Sequence, residues 1–447
     1  MMKRLLSILI LLALLVSVAA GCSKQKTDDT GTTAAKTDTI TQAVTTEESK
    51  AIEGKVNVFF SEVTTWPGFM PAMEEFKKDN PGIDVDFSSV KNDQYMSTLQ
   101  TRTAANDVPD VFLLYYGIPY YVNFINKGLL MDITDEKFMD RLTDTNKELM
   151  KVNGRIYGVP NNVQVIGTLY NKDIYKELNL SIPKTWEEFL SNCETIKKAG
   201  KTPIALGIKD AFVVQMLPYT LWPSLLYADK QDFEQQRIDG KVKYNSLEWK
   251  KALELTFDVF NKGYTNTGAL GVSYDQSLEM FATGKAVMLH MGDWCVDSLQ
   301  KINPELNMGF FLTPAPAGIE TAAPGQPNGI FVIGKNAQSP EAAKKYVEGM
   351  ATDPKYYYQW NKSSLQSLKD APASTNPVYQ EFADAYSKAT KTYGFVASNW
   401  INSSLQDVYM RAMQDVYAGQ KTVDQLAEEL DAQFEKILPE YQKGLEK

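Results

Sequence analysis

Lys55-Val56-Asn57-Val58-Phe59-Phe60 leads into a stretch with Phe69, Met73 and Phe76 at helical spacing, then Asn80-Pro81-Gly82, then Ile83-Asp84-Val85-Asp86-Phe87. The first run is apolar enough for a strand buried on both faces. Asn80-Pro81-Gly82 stops the helix, because proline has no N–H to donate and glycine accepts the turn. Ile83, Val85 and Phe87 then alternate with polar residues, the period of a half-covered strand. Strand, helix and strand at this spacing form a βαβ unit, and such units build parallel sheets. The fold class is therefore α/β.

The same alternation continues along the chain. Pro109-Asp110-Val111-Phe112-Leu113-Leu114 reads as a third strand with aromatic residues at its carboxyl end, and Asn153 to Pro160 as a hairpin-like turn into another. Thr185-Trp186-Glu187-Glu188 is a capping box that opens an amphipathic helix, with Trp186 in its core face. Gln276 to Ala286 reads as a helix ending at Gly284, with Val287-Met288-Leu289 as the strand behind it. Phe310 to Pro316 reads as a strand entering a Pro-rich crossover, and Gly329 to Ile333 as another strand. Ser339-Pro340-Glu341 starts a helix with proline in its first turn. Thr422-Val423-Asp424-Gln425 caps a last helix carrying Leu426, Leu430, Phe434 and Leu438. The chain has 447 residues, and even without its first 50 it exceeds the ~250–300 that one core supports, so two lobes are expected.

Ahead of this body, Lys3 and Arg4 precede an apolar run, Leu5 to Ala20, and then Gly21-Cys22. The run is about 16 residues, short of the roughly 20 needed to span a bilayer, and it has the layout of an export leader. Ala19-Ala20-Gly21-Cys22 resembles the lipobox of bacterial lipoproteins, with Ala19 where leucine is usual. The resemblance implies a leader over 1–21, lipidation of Cys22 and anchoring to the outside of the cell membrane. Ser23 to Lys50 is rich in Thr, Asp, Lys and Ala, too polar to bury a core, and reads as a disordered tether.

Composition excludes several functions. The formal net charge is −9, and the leader would remove two positive charges, so nucleic acid is a poor partner. The single histidine, His290, rules out a His-rich metal site, and three cysteines cannot hold a four-Cys site. Gly284-Lys285 is not a phosphate loop, because Glu279 stands where the earlier glycine is required. His290 reads as a structural strand-end residue. Cys193 and Cys295 fall in one expected lobe and read as two reduced thiols.

The order of several phrases resembles the extracellular solute-binding proteins of ABC importers, in the group that includes maltose-binding protein. These phrases are Phe76 to Val85, Pro109-Asp110-Val111-Phe112, Tyr157-Gly158-Val159-Pro160 with Tyr170-Asn171-Lys172-Asp173, Pro183 to Phe189, Gly284 to Met288 with Gly292-Asp293-Trp294, and Ser339 to Ala343. The resemblance covers essentially the whole mature chain. It implies a two-lobed, type II periplasmic-binding-protein-like fold, with parallel or mixed sheets joined by crossover hinge strands and a ligand in the cleft between them. By similarity the crossovers fall near Asn161–Val163 and Thr313–Pro316. Lobe one is then 51–160 plus 317–365, and lobe two 161–316 plus 366–447. The implied role is to capture a carbohydrate and pass it to a membrane permease served by a separate ATPase subunit. The protein is expected to be a monomer, without cofactor, metal or catalytic residues.

Physical reasoning also favours the cleft, since α/β folds bind ligands beyond strand carboxyl ends and between domains. Sugars offer hydroxyl edges to amides and acids, and C–H faces to aromatic rings. Trp66 follows the first strand and Tyr116 the third. Asn162 and Gln164 lie at the first crossover, with Gln164 where the maltose binder carries a carboxylate. Tyr219 and Trp222 come from Pro218-Tyr219-Thr220-Leu221-Trp222-Pro223, which resembles a sugar-contacting phrase of that group. Asp293 and Trp294 combine an acceptor with a stacking ring beside Gly292. Asn328 and Trp400 complete the expected ligand set, while Trp249 and Trp360 are read as core or surface. Arginine occurs in the mature chain only at 102, 141, 155, 237 and 411, outside these phrases, which points to a neutral sugar. The alternatives are a non-sugar solute such as a peptide, or a glycan-active enzyme pairing Asp293 with Glu62 or Asp110.

Overall fold

β1 (Gly54–Ser61) is the strand read from Lys55 to Phe60, and its inward Val56, Val58 and Phe60 are fully buried. The helix Phe69–Asp79 lays Phe69, Ala72, Met73 and Phe76 on the core, as their spacing requires. β2 (Ile83–Val90) and β3 (Val111–Leu114) flank β1, both parallel to it. A short hairpin, β4 (Lys151–Val152) and β5 (Arg155–Ile156), precedes β6 (Gly158–Val159). Residues 51–61, 66, 68–361 and 365–445 are described by a computed structural model. The expected leader, Cys22, the tether and Glu62 lie outside the described residues.

The chain then crosses to a second sheet. β7 (Asn162–Asn171) is its spine, with β8 (Thr202–Ala205), β9 (Ala286–Gly292), β10 (Met308–Phe311) and β11 (Ala323–Asn328) following in sequence. The first half of β7 pairs antiparallel with β11 and the second half with β9 and β10, while β8 runs parallel to β9. β12 (Ile330–Ile333) returns to the first sheet and inserts between β3 and β6, antiparallel to both. β13 (Thr392–Tyr393) closes the edge of the second sheet beside β11. The sheet orders are thus β2-β1-β3-β12-β6 and β13-β11-β7-β9-β8. Each has its own apolar core, so the body is an α/β fold of two lobes.

The boundaries differ from the sequence expectation at two places. The second crossing is at Gly329, not Thr313–Pro316, because β11 pairs with β7 and carries residues 323–328 into the second sheet. Gly329 has φ of 58°, and a Cβ there would sit 2.4 Å from Asn161 Nδ2, so the two crossings touch and glycine is favoured. A third segment also crosses. Leu368, expected in lobe two, is buried in the first core, whereas Val378, in the helix Pro377–Lys388, is buried in the second. It hydrogen-bonds the first crossing, with Val163 N donating to Leu365 O at 2.8 Å.

Local chemistry explains most element starts. Thr185 Oγ1 accepts from Glu188 N, but the Glu188 carboxylate reaches back to Lys184 N, one residue earlier than a strict capping box. Thr422 and Gln425 make the full reciprocal pair ahead of the helix Val423–Leu445. His290 is buried in β9 with Nδ1 3.1 Å from Thr168 Oγ1, and burial pushes its pKa down to about 3. Cys193 and Cys295 are buried free thiols. Among the described residues no helix is long and apolar enough to cross a membrane.

Candidate binding site between the lobes

The lobes meet where the loop after β3 faces the segment leading to the helix Ser403–Tyr417. Gly117, at φ of 112°, is packed so closely that a Cβ would lie 2.2 Å from Ser398 O. Three residues further on, Tyr120 donates across the junction to Gln406 Oε1 at 2.7 Å. Gln406 Nε2 donates to Gln215 Oε1 at 2.8 Å, and Tyr219 donates to the same oxygen at 2.6 Å. A polar chain therefore runs from the first lobe into the second. Asp407 adjoins it, and burial raises its carboxyl above the usual range.

Tyr116 is half-buried in this junction. Burial raises its phenol, and the Tyr386 hydroxyl across the junction adds to the shift. Tyr393 is raised by burial first, then by Glu234 and by Tyr116, and it accepts from Asn399 Nδ2 at 3.1 Å. Tyr116 of the first lobe and Tyr386 and Tyr393 of the second are close enough for their hydroxyls to influence one another electrostatically. Gln326, on β11, faces the same segment and accepts from Phe395 N at 2.8 Å.

Asp293 and Trp294 sit in the turn after β9, Asp293 buried and Trp294 half-buried. The Trp294 ring lies over Gly292, where a Cβ would come within 1.9 Å of Cζ3, so the glycine makes room for its neighbour's indole. Tyr274, beside Trp294, has its ring 5.3 Å from Phe212, whose carbonyl accepts from Gln215 Nε2. Trp66 is half-buried on the first lobe and stacks on Trp360 at 5.3 Å and 17°. Trp360, read as core or surface, is therefore the wall that holds Trp66.

Asn162 and Gln164 lie on the half-exposed face of β7, with Asn328 opposite Asn162 in β11. Three expected ligand residues are buried side chains. Trp222 has 0% exposure and donates to Trp249 O at 2.9 Å inside the second core. Trp400 also has 0% exposure, packed against Tyr244 and Tyr409. Tyr219 is buried, stacked on Phe395 at 5.7 Å, and its hydroxyl is used in the polar chain. Each of the three is a core side chain, which corrects the expectation for it. Tyr120, Tyr386, Tyr393 and Gln406 were missed. Of these only Tyr120 has a visible signal, lying in the tyrosine-rich run after the third strand.

Charge at the junction is low. Arg102, Arg155, Arg237 and Arg411 are bound by Asp107, Asp132 with Asp135, Asp431, and Glu429 respectively. Among the described residues no cluster of His, Cys, Asp and Glu could hold a metal ion. Two cavities in the second lobe, about 20 Å³ beside His290 and about 520 Å³ beside Lys172 and Glu381, contain none of the expected ligand residues.

The fold has well-populated counterparts among solved structures. A chitin oligosaccharide binding protein aligns with a TM-score of 0.75 at 22% identity, over 83% of this chain and 94% of its own. A Bacillus licheniformis sugar transporter protein in complex with stachyose aligns with a TM-score of 0.74 at 22% identity, over 86% and 100%. In sequence, the chain is 28% identical to a multiple sugar-binding protein of Streptococcus mutans serotype c, over 64% of this chain and 69% of that one. The family model for bacterial extracellular solute-binding proteins matches residues 64–357. Two lobes, three crossings and this match agree: the chain belongs to the bacterial extracellular solute-binding protein family.

Proposed function

We propose that the protein captures a neutral carbohydrate, an oligosaccharide, between its lobes and delivers it to an ABC permease with a separate ATPase subunit. The observation that carries this reading is the junction itself: Tyr120 of the first lobe bonded to Gln406 of the second, amide side chains on the crossings, and four of the five arginines of the body held in ion pairs. Rings pack on sugar C–H faces and amides match hydroxyls, while Asp407 disfavours an anion. The multiple sugar-binding relative, the chitin oligosaccharide binder and the stachyose complex support the same ligand class. In this reading Trp66, Tyr116, Asn162, Gln164, Asp293, Trp294 and Asn328 contact ligand. Lobe closure follows from ligand touching both sides, which favours the closed state by differential affinity. Cys22 carries the lipid that keeps a monomeric protein at the outer face of the membrane. The bound sugar leaves unchanged, without catalysis.

A thermal-shift screen tests this. Raffinose, stachyose, maltotriose and chitotriose are compared with galacturonate and short peptides, since a ligand of the folded state raises its melting temperature. A rise with a neutral glycan is expected. A rise only with galacturonate or a peptide rejects the proposed ligand class.

A further inference from the structure

Asn162 has cross-strand neighbours on both sides. It pairs with Asn328 of β11 and forms an antiparallel bridge to Gln366 of the third crossing segment. Directly paired residues place their side chains on one face of a sheet, and so do residues two apart along a strand. Gln164, opposite Gln326, continues the same face one row along. Amides from all three crossing segments therefore share one surface.

Their hydrogen bonding is uneven. Gln326 Oε1 is occupied by Phe395 N–H. Among the described residues Asn162 Oδ1 and Gln366 Oε1 have no donor and are buried as atoms, although both residues are only partly buried as a whole. Asn161 Oδ1 and Ser367 Oγ, the next residues along the same two segments, are also buried without partners. Two nearby donors are spent, because Tyr357 Oη and Asn361 Nδ2 both donate to the Asn161 carbonyl. Buried acceptors without donors are rare in proteins and costly. A pair of them on partly exposed side chains, side by side at a lobe junction, fits a ligand that brings its own O–H donors.

We propose that Gln366 is a ligand-contacting residue that, with Asn162, accepts hydrogen bonds from adjacent hydroxyls of the captured sugar. This rests on the carbohydrate reading and deepens it. The third crossing then reads the ligand as well as joining the lobes. A sugar held by both segments ties them together in the closed state.

The test is titration calorimetry with whichever of raffinose, stachyose, maltotriose or chitotriose gives the largest thermal shift. Wild type is compared with Gln366→Ala, Gln366→Met and, as a control, Trp294→Ala. Both Gln366 variants are expected to weaken binding at least tenfold. Their ligand-free melting temperatures should change little, because the acceptor removed had no partner and the amide donates only one long bond, to Asn361 O at 3.4 Å. A dissociation constant within threefold of wild type overturns the proposal, since an ordered water would then serve the site. Lost affinity accompanied by a lower ligand-free melting temperature in both variants also overturns it, assigning Gln366 a structural role. If Trp294→Ala loses binding while the Gln366 variants do not, the carbohydrate reading stands and this proposal fails. If none of the four glycans binds, both fail.

Discussion

In the middle of the second lobe, Trp222 donates to the Trp249 carbonyl, Trp249 to Tyr227, and Tyr227 to Glu234. Beside them Asp431 takes Arg237 and the backbone N–H groups of Tyr244 and Asn245. These tips find their partners in their own lobe, although Arg237 Nε is buried without one among the described residues. At the lobe junction, Tyr120 must cross to Gln406, and acceptors on Asn162 and Gln366 have no donor. Both regions use aromatic rings and polar tips. What separates them is where the partners come from. A tip satisfied internally belongs to the scaffold, whereas one left open at a junction is available to a ligand.

The sharpest way to break this comparison is to truncate one tryptophan from each region. Trp222→Ala should cost about 3–5 kcal/mol in denaturant unfolding, because a fully buried ring leaves a cavity. Trp294→Ala, half-exposed, should cost stability by less than half as much and sugar affinity by about tenfold or more. Equal stability losses would erase the distinction.

A second effect is smaller and depends on pH. Burial is the leading cause that raises Glu234 from its usual 4.5 to about 7, against lowering by the Tyr227 and Tyr244 hydroxyls. The folded state therefore holds this proton more tightly than the unfolded chain. Its contribution to stability is full below pH 4.5 and lost as pH rises through about 7. The stability of wild type relative to Glu234→Gln should fall by on the order of 3 kcal/mol between pH 4 and pH 8. His290 has the opposite sign, losing stability as pH falls below its usual 6.5, and it cancels in that difference. A flat difference across the range would show that Glu234 is not the titrating group.

The smallest effect concerns the link between the regions. Tyr120→Phe removes one hydrogen bond across the junction, worth about 1 kcal/mol. It should enlarge the ligand-free molecule in X-ray scattering and weaken sugar binding several-fold, with melting temperature little changed. Unchanged scattering and affinity would mean that Tyr120 does not hold the lobes together.

Most of the sheet framework was legible in the sequence, because β1, β2, β3 and β9 carry clear apolar patterns between strong helix stops. β11 was not. Ala323-Pro324-Gly325-Gln326-Pro327-Asn328 contains residues that strand interiors usually exclude, so the second crossing was placed too early. At Gly292-Asp293-Trp294 the local packing was legible, since the glycine gives the indole its place. It was misread at Trp222 because all seven residues of the helix Met216–Trp222 are buried. A helix covered on every side has no amphipathic face to separate core from pocket. Gln366 left no local signal, since its meaning comes from a bridge to a residue distant in the chain.

The insertion of β12 between β3 and β6 governs when the first lobe can be completed. Among the described residues β6 has no neighbour in its sheet except β12, so a growing chain that stops short of residue 330 leaves this sheet incomplete. At about 5–20 residues per second, ribosomal synthesis needs some tens of seconds to reach that point. Until then the first lobe lacks two of its five strands and cannot close its core.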